Sequence, residues 1–255
     1  MKLIIDTAAR TLTTVVGSSE RTQPLYSKDA WEAISLQWVR VGWSLGSYYN
    51  FSWFGHPILQ LPEDLVRLQE VIYSLQPDVI VETGVYRGGS MMFHASLCQA
   101  LGKGRVVGID QHMAPADREA IERHSLAPRI TLIEGDSIAA EVVDRVAALL
   151  QPGEAVLVIL DSCHERAHVR QELELYSRFV TPGSYIVAAD GIMRDLADVP
   201  GGSPQWVTDN PAAAARNFAA EHPEFLGQQP PWPVRDGEIT GNVSYWPEGW
   251  LKRVR

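Results

Sequence analysis

Five short apolar runs alternate with helical stretches between Asp78 and Asp190, and no other feature of the chain limits its fold so strongly. The runs are DVIVET (78–83), RVVGID (105–110), RITLIEGD (129–136), AVLVILD (155–161) and SYIVAAD (184–190). Between them lie MMFHASLCQAL (91–101), PADREAIERHS (115–125), IAAEVVDRVAALL (138–150) and ERAHVRQELELYSRFV (165–180), which read as helices. Strands apolar on both sides need helices on both faces of the sheet. The expected fold is therefore α/β, with a doubly wound, mostly parallel sheet whose ligands bind beyond the carboxyl ends of the strands.

The first of those ends is the stretch VIVETGVYRGGS, Val79 to Ser90. A strand, a glycine loop and a helix N-terminus in succession leave backbone N–H groups free for a ligand. The spacing is Glu-x-Gly-x-x-x-Gly, from Glu82 through Gly84 to Gly88, with Gly89 next. It is not the Gly-x-Gly-x-x-Gly of dinucleotide sites. A carboxylate at Glu82 repels a pyrophosphate and suits a cation. S-adenosylmethionine carries both a sulfonium and an ammonium, so the loop favours it over NAD.

The later strands also end in acids. Asp110 is placed to accept the ribose hydroxyls. Asp136 and Ser137 are placed at the adenine edge, with helix capping as the plainer role for Ser137. Thr83 and Gln111, beside Gly84 and Asp110, join the expected cofactor contacts. Asp161 faces the methyl donor's positive end, and Asp161 with Asp190 makes an oxygen-rich pair suited to Mg²⁺. His164, three residues after Asp161, is the candidate general base, with His168 one turn further on as its candidate support.

Composition narrows the partners. The net charge is −9 and no run of five basic residues occurs, which argues against nucleic acid and anionic membranes. Cys98 and Cys163 have no zinc spacing and read as reduced thiols. No leader-like segment and no apolar run near 18 residues is found, so a cytoplasmic enzyme with a small-molecule substrate is expected. Residues 1–60 read as an N-terminal extension. It comprises a ribbon over 2–16, a polar linker over 18–24, a helix capped by Ser27 and an aromatic loop. The catalytic domain then spans 61–255, opening on a helix from Pro62 to Leu75. Further on come a lid over 193–210, a helix over 212–222, an irregular proline-rich stretch over 228–240, and a closing hairpin of NVSYW (242–246) and WLKRV (250–254). Eight tryptophans cluster at 31–53 and 206–250, outside the nucleotide-binding core. They point to an acceptor pocket or a subunit interface built from the ends of the chain, and to a homo-oligomer.

These residues resemble a known family. WFGHPILQLPEDLVRLQEVIYSLQPDVIVETGVYRGGS, GRVVGID, RITLIEGDS, VILDSCH and TPGSYIV occur in the order found in the cephalosporin hydroxylase family. Despite its name, that is a family of class I, Rossmann-like S-adenosylmethionine-dependent methyltransferases, related to rhamnosyl O-methyltransferases. More distantly the chain is similar to catechol O-methyltransferase, whose loop matches at Glu82, Gly84, Tyr86, Gly88 and Ser90. The resemblance implies an O-methyltransferase acting on a sugar hydroxyl or a glycosylated natural product, including those of antibiotic biosynthesis. It also implies metal ligands at Asp161 and Asp190. Where the family has Glu-Asp, this chain has Ala189-Asp190, so one expected ligand is missing; a water or Glu165 would replace it, or His164 would act without metal. Competing readings are N-methylation of an amino sugar or small molecule, an NAD-dependent oxidoreductase, a cofactor-binding protein without catalysis, and an iron hydroxylase using His222-Pro-Glu224.

Overall fold

The computed structural model describes residues 1–239 and 241–255. The chain begins with a separate antiparallel ribbon of three strands, β1 (Lys2–Asp6), β2 (Thr11–Val16) and β3 (Ser19–Pro24). The third strand corrects the expected polar linker. Gly17 turns the chain at φ +59°, and SERTQP pairs with β2 across two largely exposed faces. A strand that buries neither face carries no alternating apolar signal. Helix α1 (Lys28–Ser44) follows, capped by Ser27 Oγ, which accepts from Ala30 N at 3.2 Å. A two-residue pair, β4 (Ser52–Trp53) and β5 (His56–Pro57), then leads to α2 (Pro62–Leu75).

The main sheet has seven strands: β6 (Val79–Thr83), β7 (Arg105–Asp110), β8 (Ile130–Glu134), β9 (Val156–Leu160), β10 (Tyr185–Ala188), β11 (Phe225–Gly227) and β12 (Trp250–Arg253). Their order is β11-β12-β10-β9-β6-β7-β8. The five from β10 to β8 are mutually parallel. One face is covered by α2, α3 (Gly89–Leu101) and α4 (Pro115–Arg123). The other is covered by α5 (Ala140–Leu149), α6 (Arg166–Tyr176) and α7 (Pro211–Glu221). From β6 the chain builds outward through β7 to β8, then returns to lay β9 on the other side of β6. The crevice between the ends of β6 and β9 is therefore the switch point at which such sheets bind ligands.

An antiparallel pair closes the C-terminus, but its partners differ from those expected. β12 pairs with β10 on one side and with β11 on the other. NVSYW forms no strand. Its backbone is engaged elsewhere: Tyr245 N donates to Asp64 Oδ2 at 2.7 Å, and Ile192 N donates to Tyr245 O at 3.0 Å. The proline-rich stretch is irregular over 228–239, and Thr240 lies outside the described residues. Among the described residues no helix is long and apolar enough to cross a membrane.

Candidate active site

The switch point is built on a close backbone approach. Gly84 N donates to Ile109 O at 2.7 Å and Asp161 N to Thr83 O at 2.9 Å, which sews β6 to both neighbours. Gly84 has φ +91°, and a Cβ there would collide with the Asp161 carbonyl. Only glycine satisfies both conditions. Tyr86 and Asp190, which also border the crevice, hold left-handed backbone at φ 49° and 56°. Such conformations persist where surrounding structure enforces them, often at functional sites.

Two adjoining cavities lie over the strand ends. The larger, 410 Å³, runs from Gly84, Tyr86, Ser90 and Asp110 to Asp161, His164 and Asp190, and on to aromatic side chains from residues 43–49, 206 and 245. The smaller, 170 Å³, is lined by Gln111, Asp136, Ser137, Cys163 and His168 and shares Gly84, Asp110 and Ser162 with the first. Together they form one trough in the size range of ligand pockets.

Most expected cofactor residues line this trough, but Glu82, Thr83 and Gly88 line neither cavity. Glu82 is fully buried and pairs with His94 of α3, Oε2 to Nε2 at 2.5 Å. The cause is strand periodicity. Ile80 packs into the cluster that contains Met91, Met92 and Phe93 of α3, and Glu82, two residues on, shares that face. Burial pushes the Glu82 carboxyl above its ordinary value, against the opposing pull of His94. The position expected to face a cation thus faces a helix beneath the loop.

Asp110 lines both cavities, as a ribose-binding acid should, yet it also braces the loop. Its Oδ2 accepts from Val85 N and Tyr86 N, both at 2.9 Å, and its Oδ1 accepts from His112 N at 3.0 Å. A carboxylate offers about four acceptor positions, so roughly one remains for a ribose hydroxyl rather than two. Behind Asp136 and Ser137 lies a network the sequence did not announce. Ser137 Oγ meets His168 Nε2 at 3.1 Å, Ser162 Oγ donates to the buried Glu172 at 2.7 Å, and Tyr176 OH donates to Ser137 O at 2.7 Å. Its bond to Glu172 raises the pKa of His168. This places His168 on the wall of the smaller cavity, against Ser137 and Glu172.

At the far end Asp161, His164 and Asp190 converge, with one potential ligand atom from each lying within 4.8 Å of the others. His164 Nε2 stands 3.4 Å from Asp161 Oδ1 and 3.6 Å from Asp190 Oδ2. Burial works against a charged imidazole here. The Asp190 charge and the Asp161 bond outweigh it and push the His164 pKa up to about 9. Burial, partly offset by His164, pushes Asp190 up to about 6. Two carboxylates around a shared centre fit a hard divalent cation, with His164 in the third position. Glu165, the candidate replacement ligand, instead caps α6 and is not in the cluster. Gln60 Nε2 lies 3.4 Å from Asp161 Oδ2, and its Oε1 is buried with no hydrogen-bond partner among the described residues. Gln60 lies in the GHPILQLP motif, but no spacing rule links it to Asp161.

The remaining candidates fall elsewhere. His222 stacks on Phe218 with ring centroids 4.1 Å apart and pairs with Glu174 and Glu224, so His222-Pro-Glu224 is a structural contact on α7. Cys98 is buried and Cys163 half-buried, and both are free thiols.

A family model described as Rhamnosyl O-methyltransferase/CmcI matches residues 46–254. A rhamnosyl O-methyltransferase of Mycobacterium leprae (strain TN) is 29% identical over 156 residues, which cover 58% of this chain and 64% of the relative. The chain thus matches less than two thirds of that relative's length. An apo structure of CmcI has the same fold, with a TM-score of 0.54 at 19% identity, over 81% of this chain and 77% of that one. A structure of CmcI described as Mg-SAM gives 0.53 at 19%, over 81% and 78%.

Proposed function

The chain belongs to the rhamnosyl O-methyltransferase/CmcI family, and from that premise we propose that it is an S-adenosylmethionine-dependent O-methyltransferase. Its acceptor is a hydroxyl of a sugar or glycosylated natural product, as in secondary metabolism and antibiotic biosynthesis. One observation carries this reading. A single trough joins a recess lined by Asp110, Asp136 and Ser137 to a cluster of titratable groups at Asp161, His164 and Asp190. That pairing suits transfer of a group from a nucleoside-bearing donor to an acceptor that must lose a proton. The activity named for the Mycobacterium leprae relative supports it.

The chain's own residues would divide the work as follows. Tyr86, Ser90 and the Gly84 turn hold the amino-acid end of the donor, Asp110 a ribose hydroxyl, and Gln111, Asp136 and Ser137 the adenine. When bound, S-adenosylmethionine supplies an activated methyl group. The protein aligns the acceptor oxygen with it and excludes water. His164 Nε2 would take the hydroxyl proton once Asp161 and Asp190 are engaged with other partners. With both carboxylates facing it His164 stays charged at neutral pH, so its action as a base requires them to be engaged elsewhere. Asp161 and Asp190 would hold a divalent cation such as Mg²⁺, which supplies Lewis acidity at the acceptor oxygen. The CmcI structure described as Mg-SAM supports this reading.

Residues 1–60 serve as an extension to a catalytic domain over 61–255, capping the acceptor side. Ile5, Trp31, Trp38 and Val41, exposed on the ribbon and α1, support a homo-oligomer, which light scattering would measure. The expected test of function is direct. The protein binds S-adenosylmethionine by calorimetry and adds one methyl to a rhamnoside-bearing acceptor by mass spectrometry. Binding of NAD⁺ without S-adenosylmethionine rejects the reading.

A further inference from the structure

The trough has an end that the cofactor does not account for. Beyond Asp161 and Asp190 its walls are aromatic and come from three separate stretches of chain. Trp43 closes α1, Trp206 sits in the 3₁₀ turn Pro204–Val207, and Tyr48 and Tyr245 line the same cavity. Trp43 and Trp206 meet edge to face, centroids 5.4 Å apart at 89°. Tyr48 and Tyr245 form a second such pair at 6.2 Å and 85°. No Lys or Arg is among the described residues lining this cavity, while Asp110, Asp161 and Asp190 are.

The two walls are tied to each other. Arg40, one turn before Trp43, donates to Asp195 O at 2.5 Å and to Asp198 Oδ1 at 2.7 Å. Ser44 Oγ donates to Pro200 O at 3.1 Å. The helix of the N-terminal extension is thereby fixed to the segment that carries Trp206. Gln60 adds a polar demand: its buried Oε1 has no hydrogen-bond partner among the described residues, and a hydroxyl from a ligand would supply a donor.

Resting on the function proposed above, we infer that Trp43 and Trp206 form the acceptor-selecting unit of this site. It takes an uncharged sugar ring by its C–H face and rejects anionic sugars. The reasons are complementary. Flat aromatic faces pack on the apolar face of a pyranose and leave its edge hydroxyls free for Gln60 and the His164 cluster. A carboxylate or phosphate on the ring would enter a cavity lined by three acids and no Lys or Arg, whose His164 is already shared by Asp161 and Asp190.

The test uses the full chain with S-adenosylhomocysteine bound. Its probes are methyl rhamnoside, a neutral sugar, and methyl glucuronide, an anionic ring of similar size, each titrated by saturation-transfer NMR. The rhamnoside should bind and the glucuronide should not. Trp206→Ala should weaken rhamnoside binding at least about tenfold, Trp206→Phe should restore most of it, and S-adenosylhomocysteine affinity should change less than about twofold. Arg40→Met, which leaves every cavity-lining residue in place, should raise the acceptor KM more than it lowers kcat. The inference is overturned if the glucuronide binds as well as the rhamnoside. It is also overturned if neither sugar binds, or if Trp206→Ala binds the rhamnoside unchanged, while the cofactor product still binds. Failure to bind the cofactor product at all rejects the proposed function instead.

Discussion

The Glu82–His94 pair gives the sharpest separation between supporting the cofactor loop and touching the cofactor. Both side chains are fully buried and meet at 2.5 Å. His94→Leu keeps roughly the volume of the ring but leaves the carboxylate alone in an apolar layer. Removing one partner of a buried pair costs roughly 3–5 kcal/mol. The sign with pH follows from Glu82. Its pKa is already raised above 4.5 by burial, and without His94 it rises further. An acid whose folded pKa lies above its unfolded one loses stability as pH climbs between the two values. The deficit of His94→Leu should therefore be largest at pH 8 and shrink toward pH 5. Adding Glu82→Met removes the stranded charge, so the double variant should recover most of the loss. Equilibrium denaturation at the two pH values measures both effects. Glu82→Gln, which retains an acceptor for His94, should alter S-adenosylmethionine affinity by less than about threefold if the pair only supports the loop. Strictly additive single and double variants would refute the buried-pair argument. A hundredfold loss of cofactor affinity in Glu82→Gln would show that Glu82 reaches the ligand after all.

Three other outcomes follow from the same geometry. Asp64 is buried and its pKa is raised from 3.8 to about 7 by desolvation; wild-type stability should thus fall by about 4 kcal/mol between pH 4 and pH 7 at most. Asp64→Asn should flatten that slope, and parallel curves would reject the assignment. Gly84→Ala combines a left-handed backbone with a backbone collision, so it should lower the melting midpoint and abolish S-adenosylmethionine binding in whatever protein still folds; unimpaired binding would contradict the close approach of β6 and β9. Chelation by EDTA should suppress methyl transfer and Mg²⁺ restore it, while Asp190→Asn should remove Mn²⁺ binding by electron paramagnetic resonance. Full activity in EDTA would favour His164 acting without metal.

The legible parts of this protein are those that local pattern controls. Wholly apolar runs such as AVLVILD can exist only between two layers of helix, and β9 is buried throughout. Acids placed just after such runs had to gather at one edge of the sheet, which is why Asp161, His164 and Asp190 come together as read. Pairings across the fold were not legible. Nothing in MMFHASLCQAL distinguishes His94 from a surface histidine until the helix is laid against Glu82. Asp64 lies in the first turn of α2, where an acid suits the helix dipole, yet it accepts from Ser244 Oγ at 2.6 Å and from Tyr245 N. That bond explains why NVSYW, despite its strand-like composition, is not a strand. β3 was missed for the opposite reason: it is polar on both faces, and pairing rather than burial defines it.

The acidic rim also explains how this protein tolerates so many carboxylates at one sheet edge. Each acid is answered by a different device. Glu82 is buried against His94. Asp110 takes three backbone N–H groups. Asp136 takes one, from Ile138 at 3.2 Å. Asp161 and Asp190 share His164. These devices differ in how easily a ligand displaces them. The Glu82 pair is sealed and stays with the fold. The Asp110 bonds hold the loop that a donor must also contact, so binding there reinforces them. The His164 contacts, at 3.4 and 3.6 Å in a half-buried cleft, are the loosest of the set. The least firmly satisfied of these clusters is thus the one at which we propose that a proton or a cation moves.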